Sequence, residues 1–304
     1  MTTLQVRKVQ FDFEGDIPFL WQPESPAFSL MTNMISIIAI AFEKYIVQAV
    51  RQVMPQIGEP TVAAEADAFL RQEAQHARVH RQHLKALIRT YPGLQETVDR
   101  ATACFDELLA TRSSKYHLAY IADLEATFTP TFKLLLDHEE QLFRPGDERV
   151  AAMFLWHFVE EVEHRSSALI VYRALGGGEA YRLAVLPSVV LHMNRVLEVI
   201  LGGFNDHVPL ADRQIDARVL LPAFRIRHAL RSLVPFGRTG ETFPDSFAGV
   251  PASARAAATR RIWMSQMPNH DPEDQPLPEF AARWLERYDR GEDVVRWYSS
   301  ELPR

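Results

Sequence analysis

Two Glu-x-x-His steps decide the predicted fold of this chain: Glu73-Ala74-Gln75-His76 and Glu161-Val162-Glu163-His164. Each step lies inside a long helical pattern of apolar residues. An α-helix turns about 100° per residue, so residues three positions apart lie about 60° apart on one face. A carboxylate and an imidazole at this spacing can therefore bind the same metal ion.

Two single glutamates extend the pattern. Glu43 precedes the first step and follows the apolar run 37–42, and Glu125 lies between the two steps. A carboxylate in apolar surroundings is costly to bury unless it is paired or bound to a metal. Two Glu-x-x-His helices and two helices with one glutamate each form the four-helix-bundle site for two metal ions. Because the ligands are mostly hard oxygens with one imidazole per ion, iron or manganese suits them best.

Composition supports an all-α fold and excludes several classes of function. The chain has only 13 glycines in 304 residues, and its apolar pattern has the helical period. A net charge of −6, with no basic stripe, argues against nucleic-acid binding. The single cysteine, Cys104, excludes an internal disulfide and a cysteine-based metal site. The first residues carry scattered charges and no apolar signal core, so we expect a cytoplasmic protein.

Two apolar stretches, residues 30–50 and 181–201, resemble membrane spans. Each contains charged residues, Glu43 and Lys44 in the first and Arg195 and Glu198 in the second. A charge at mid-span costs roughly 2.5–3.5 kcal/mol on insertion scales. We therefore expect buried bundle helices and no membrane span. The second stretch could also face a substrate or an interface.

Helix start and stop signals predict four bundle helices. The first is expected at about 25–54, and the second from an N-cap at Thr61 to just before Pro92. The third is expected at about 115–143, with a kink or a restart at Pro130. The fourth is expected to run from an N-cap at Asp147 to the glycines at 176–178. An extended arm of residues 1–26 is expected to wrap the bundle, and residues 94–112 to form a shorter helix.

Beyond the bundle, the pattern predicts further helices at 179–203, near 211–233 and at about 279–290. Residues 235–251 read as a long loop, because they are rich in glycine and proline. We predict a single domain, 1–304, with the metal-binding four-helix bundle at 25–175 and a C-terminal helical decoration at 176–304.

Other carboxylates compete for the ligand positions. Glu160 and Glu163 flank Glu161 but lack a histidine three positions later, so we expect them to be solvated or salt-bridged. Asp123 lies about 200° around the helix from Glu125, on a different face. Glu161 and Glu125 are therefore the predicted ligands.

Two further histidines lie on the ligand faces. His157 is four residues before Glu161, on the same stripe, where it either adds a ligand or packs in the core beside Trp156. His80 follows His76 by one turn. We place His80 behind the ligands as a supporting residue, with a surface position or binding of the metal as the alternatives.

The ligand order resembles that of the ferritin-like di-iron carboxylate proteins over about residues 25–175: Glu43, Glu73-x-x-His76, Glu125, Glu161-x-x-His164. The run His157-x3-Glu161-x2-His164 resembles the p-aminobenzoate N-oxygenase branch, in which an extra histidine completes a seven-ligand site. The early part is also similar to a bacterial group labelled metal-dependent hydrolases.

The resemblance implies two bound iron ions, with manganese as the alternative, that activate O₂ to oxidise a small organic substrate at a nitrogen or a C–H bond. An unidentified electron donor is then needed. We expect Glu43, Glu73 and His76 to hold one ion. The other ion is expected to be held by Glu125, His157, Glu161 and His164. Two of the carboxylates are expected to bridge the ions.

Two other functions stay open on the sequence alone. The same ligands could activate water in a dinuclear hydrolase, although the chain shows no Ser-His-Asp or Cys-His arrangement. A non-catalytic ferritin-like metal-binding protein or a helical interaction protein is the second alternative. The oligomeric state is open, a homodimer included.

Overall fold

The computed structural model describes residues 4–221 and 244–299, and this part of the chain is helical without any β-strand. The predicted all-α class is confirmed. The α-helices, in chain order, are α1 (Pro26–Val53), α2 (Pro60–Thr90), α3 (Leu94–Thr111), α4 (Ser114–Asp137), α5 (Glu139–Leu142), α6 (Glu148–Glu163), α7 (Ser167–Ala174), α8 (Glu179–His207), α9 (Leu210–Arg213), α10 (Ala252–Ser265) and α11 (Glu279–Asp289).

Four of these helices form a closed ring of neighbours. Helix α1 packs on α2, α2 on α6, α6 on α4, and α4 on α1. Their inward faces bury an almost continuous apolar core, which includes Phe42, Phe69 and Phe158. The carboxylates and imidazoles singled out above lie inside this ring. The helical bundle therefore places them in the interior of the protein.

The starts of the helices follow local chemistry. The Asp147 side chain accepts the N–H groups of Arg149 and Val150, which makes it the N-cap of α6, as predicted. The predicted N-cap at Thr61 is wrong, because α2 begins one residue earlier at Pro60. Proline suits the first helical position, since its φ is already helical and it has no N–H to satisfy.

Two predicted helix ends are also wrong. Helix α4 ends at Asp137 rather than near residue 143, and a separate turn of helix follows. The fourth bundle helix does not run to residue 176. It ends at Glu163, and the Arg165 guanidinium donates to the Val162 carbonyl at 2.9 Å, which satisfies an open group at this helix end. The chain resumes as α7 at Ser167.

The C-terminal region differs most from the prediction. In place of a helix from residue 211, the structure has a single turn, α9, because Gln214 adopts a left-handed conformation (φ 60°). A 3₁₀ turn, Ala217–Leu220, follows, and residues 222–233 lie outside the described residues. The predicted loop is non-helical over 244–251, and its earlier part is likewise not described. Helix α10 was missed, whereas α11 lies where it was predicted. The division into bundle and decoration stays a prediction.

Residues 4–25 form a non-helical arm against the bundle, as predicted. Phe19 and Trp21 are almost fully buried, and the Trp21 indole N–H donates to the Thr32 hydroxyl of α1 at 2.8 Å. Arg149 of α6 donates to the carbonyls of Glu14 and Asp16. The arm is therefore fixed to α1 and α6 by burial and by hydrogen bonds.

Helices α1 and α8 are long and apolar enough to cross a membrane by length and composition alone. A core helix passes the same test, and 67% of the apolar window of α1 is buried inside the protein. In α8 the buried share is 22%. Helix α1 is thus explained as a core helix, and the chain is not clearly membrane-spanning.

Candidate metal centre

The structure brings all seven predicted ligand side chains together in the core of the ring. Each is at most 4% exposed. They come from four helices: Glu43 from α1, Glu73 and His76 from α2, Glu125 from α4, and His157, Glu161 and the following His164 from the end of α6. The Glu-x-x-His spacing by itself placed only Glu73 with His76 and Glu161 with His164, and the four-helix-bundle ligand pattern predicted that the other side chains would join them.

The donor atoms form two adjoining groups. One contains Glu43, His76, His157 and Glu161, and the other contains Glu73, Glu161 and His164, with one atom from each residue within 4.8 Å of the others. Glu161 belongs to both groups. Glu125 lies beside the second group, with its Oε2 atom 3.8 Å from His164 Nε2.

This grouping differs from the prediction, which placed Glu73 with His76 and His157 with His164. The cause is the antiparallel course of α2 and α6. His80 lies opposite His157, His76 opposite Glu160, and Gln72 opposite His164. The two donor groups follow one another along the helix axes. Glu73 therefore lies level with His164, in the second group, and not with the first group.

Several donor atoms of the cluster make no hydrogen bond. They are Glu43 Oε2, both oxygens of Glu73, His76 Nδ1, Glu125 Oε1, Glu161 Oε2 and His164 Nε2. A buried polar atom left without a partner costs about 1–3 kcal/mol, so such a concentration in one place needs an explanation. Oxygen and imidazole nitrogen are donors that iron and manganese accept. The residues therefore fit a metal centre, and this buried His/Glu cluster could bind metal ions.

The charges of the cluster lead to the same conclusion. Burial, together with repulsion from neighbouring carboxylates, raises the pKa of Glu73 and Glu125 well above the ordinary value. Burial also raises the pKa of Glu43. Burial alone would raise the pKa of Glu161, but His164 and His157 hold it well below its ordinary value. The repulsion among these buried carboxylates is one that two divalent cations would relieve.

His76 is held from behind by Glu160. The His76 Nε2–H group donates to Glu160 Oε2 at 2.9 Å, so that Nδ1 points towards the cluster. Burial lowers the pKa of His76, but its hydrogen bond to Glu160 and the nearby Glu161 carboxylate outweigh this and raise it to about 10. Glu160 was expected to be solvated or salt-bridged. It is not solvated but fully buried, and it lies within ion-pair distance of Arg7, at 3.5 Å. It also orients an imidazole, as carboxylates do for metal-bound histidines.

His164 is held in the same way by an amide. Its Nδ1 atom lies 3.0 Å from Gln72 Oε1, which leaves Nε2 facing Glu73 at 3.1 Å. The Gln72 amide in turn donates to Glu163 at 3.1 Å. Sequence reasoning missed Gln72 and Glu160 as site residues. Their only signal was position, since each directly precedes a predicted ligand glutamate.

His157 is the inner end of a chain of buried polar groups. Its Nε2 atom lies 2.9 Å from Glu161 and 3.2 Å from Glu43. Its Nδ1 atom lies 2.8 Å from His80 Nε2, and His80 Nδ1 lies 3.0 Å from the Ser36 hydroxyl. Burial holds the pKa of His80 well below the ordinary value, so this ring is neutral. His80 thus lies behind His157, and its role as a supporting residue stays a prediction.

Comparison with protein families assigns the chain to a group. The model of a family described as "Predicted metal-dependent hydrolase" matches residues 5–236. The chain belongs to this family. The match contains all seven clustered side chains, in agreement with a metal-dependent enzyme. Comparisons with curated proteins and with solved structures returned no match.

Replacing His157 with alanine tests whether it is a ligand. If it binds a metal ion, His157→Ala should leave most of the metal bound, since the other six side chains remain, but should change the visible spectrum of the iron-loaded protein. His117→Ala is the control, because His117 is equally buried and is hydrogen-bonded to Tyr45 outside the cluster. If both iron-loaded variants keep the visible spectrum of the wild type, His157 is only a packed core residue.

Proposed function

We propose that this protein is a dinuclear non-haem iron enzyme that activates O₂ to oxidise a small organic substrate. The observation that carries the proposal is the set of unpartnered carboxylate and imidazole atoms that four helices direct into one water-excluded volume. The negative charge of four carboxylates would balance the positive charge of two ferrous ions, and three neutral imidazoles would complete the ligand set.

Two sets of side chains would hold the ions. Glu43, His76 and His157 would bind one ion, and Glu73, Glu125 and His164 the other. Glu161 would serve both sets, since it belongs to both donor groups. Iron would supply the redox chemistry with O₂, and manganese accepts the same ligand types. The protein itself would supply binding, orientation and exclusion of water.

Aromatic rings close the site to solvent. Trp156 lies edge-on to His76 with ring centroids 4.9 Å apart, and Phe69 lies edge-on to His164 at 5.0 Å. Phe132 packs beside His157 at 6.0 Å. These contacts fix the planes of the imidazole rings. They also keep water away, so that an oxidising species is not lost to side reactions.

The proposed reaction needs an external reductant. Insertion of one oxygen atom of O₂ into a substrate bond releases the other atom as water, which consumes two electrons and two protons. We therefore propose a separate electron donor that supplies these two electrons.

A hydrolase is the second candidate, and the family description favours it. A dinuclear centre could lower the pKa of a bound water molecule and polarise a carbonyl or phosphoryl oxygen. Burial of the cluster does not separate the two candidates, because the organic substrate of either enzyme would have to reach side chains that are at most 4% exposed.

The two candidates are separated by loading one preparation with different metals. Reduced protein loaded with iron under anaerobic conditions should consume O₂ and show a transient visible absorption. The zinc-loaded protein is the matched control, because zinc has the same ligands without redox chemistry and should not react with O₂. An iron form that is inert to O₂, together with a zinc or manganese form that cleaves activated esters or amides, would favour the hydrolase.

A further inference from the structure

The arm before α1 brings a buried arginine to the metal centre. Arg7 is only 4% exposed, although it lies near the chain start in a non-helical segment. Its guanidinium donates to both oxygens of Glu163, at 2.6 and 2.8 Å, and Nη1 also lies 3.5 Å from Glu160 Oε1. Such a forked pairing with a carboxylate is both strong and directional.

Both partners of Arg7 lead directly to histidines of the cluster. Glu160 uses its other oxygen, Oε2, to accept the His76 Nε2–H. Glu163 accepts from the amide of Gln72, whose carbonyl oxygen contacts His164 Nδ1. One guanidinium is therefore connected by continuous hydrogen bonds and ion pairs to one histidine in each of the two donor groups.

We propose that Arg7 is a positioning residue of the metal centre, which fixes the orientation of His76 and His164 through Glu160, Glu163 and Gln72. This inference rests on the proposed binding of metal ions by the cluster. It assigns to the arm a role in the site, beyond wrapping the bundle.

The charge balance of the centre explains why a cation is needed at this point. Four ligand glutamates balance two divalent ions, which leaves the charges of Glu160 and Glu163 behind them. Arg7 offsets one of these charges at close range. Without it, two neighbouring carboxylates would repel each other in a largely buried volume, and one would turn towards solvent. That movement would release the histidine that it holds.

The last helix of the described chain supports Arg7 from outside. The guanidinium carbon of Arg7 lies 5.8 Å from the ring centroid of Tyr288 on α11, within the range of a cation–π contact. The backbone N–H of Lys8 donates to the Tyr288 hydroxyl at 3.2 Å. Helix α11 thus lies beyond the family match yet contacts the residue that connects the arm to the metal centre.

The simpler alternative is that Arg7 only attaches the arm. Arg149 provides the matched control, because it also joins the arm to α6 by an ion pair and by hydrogen bonds to arm carbonyls. Arg149 lies at the opposite end of α6 from His164, and its described partners contain no residue that holds a histidine of the cluster. If Arg7 only attaches the arm, Arg7→Gln should leave the spectrum of a bound metal ion unchanged, as Arg149→Gln does, although its loss of stability should be larger because Arg149 is more exposed than Arg7.

The test measures cobalt(II) binding, with the full-length protein stripped of metal and titrated with the ion. Arg7→Gln should weaken cobalt(II) affinity by about 10–100-fold, as is typical when a group that orients a ligand is lost, and should shift the visible absorption of the bound ion. Arg149→Gln should keep the wild-type affinity and spectrum. Arg7→Lys, which keeps the charge but not the fork, should give an intermediate affinity.

Glu163→Gln is the second variant, in case Arg7→Gln does not fold. It keeps the size of a partly exposed side chain, removes the anionic partner of Arg7, and should shift the cobalt(II) spectrum. Wild-type affinity and spectrum in a folded Arg7→Gln or Glu163→Gln protein would overturn the proposal. If the wild-type protein itself fails to bind cobalt(II), the proposed metal centre is wrong, and this outcome is distinct from the first.

Discussion

Replacing Glu161 with alanine is expected to abolish binding of both metal ions. Glu161 is the residue shared by the two donor groups, and its carboxylate contacts His76, His157 and His164 within 3.5 Å. Loss of a group that merely orients a ligand costs about 10–100-fold in affinity, so loss of a carboxylate shared by two ions should cost more. The metal content of the loaded protein should fall from about two ions per subunit towards none.

The control for this prediction is a carboxylate on the surface of the same protein. Glu140 is exposed and pairs only with Arg144 among the contacts described for it, so Glu140→Ala should bind metal as the wild type does. Metal content is measured by elemental analysis after loading and desalting, with circular dichroism to show that both variants are folded. Two ions per subunit in folded Glu161→Ala would contradict the ligand assignment.

Replacing Arg182 with methionine is expected to lower the free energy of unfolding by about 3–5 kcal/mol, the usual cost of removing one partner of a buried ion pair. Arg182 of α8 is 1% exposed and donates to Asp123 of α4 at 3.0 Å. It also contacts the backbone carbonyls of Gln266 and Met267 at the end of α10. The substitution would leave the Asp123 carboxylate buried without its counter-charge.

Arg195→Met is the matched control, on the same helix and with the same change of side chain. Arg195 pairs with Glu107 at 3.0 Å, but both side chains are more than half exposed, and such pairs contribute about 0–1 kcal/mol. Burial raises the pKa of Asp123 to about 7 even beside Arg182, so urea unfolding is best compared at pH 8, where the carboxylate is charged. Equal losses for the two variants would show that the Arg182–Asp123 pair adds no more stability than an exposed one.

This buried pair also bears on the choice of the α4 ligand. Asp123 and Glu125 are close in sequence, and the helical wheel alone separated them. The structure directs Asp123 outward to Arg182, between α4 and α8, whereas Glu125 points into the ring. The pair therefore holds in place the helix that carries Glu125.

Much of the fold and the candidate site could be predicted from the sequence, because both depend on local spacing. The period of the apolar residues indicated helices, and proline and glycine marked most of their limits. The three-residue step between Glu73 and His76, and between Glu161 and His164, puts each pair on one helical face whatever surrounds it. Glu43 was identified by an equally local feature, a carboxylate amid apolar residues.

The tertiary structure alone decided what supports those ligands and how they are grouped. Gln72, Glu160 and Arg7 carry no spacing signal, because their partners are distant in the chain, from 84 residues between His76 and Glu160 to 156 between Arg7 and Glu163. The grouping of Glu73 with His164 follows from the antiparallel register of α2 and α6. Periodicity specifies which face of a helix is buried, but not which residue of another helix lies level with it. That depends on packing and on where the arm docks.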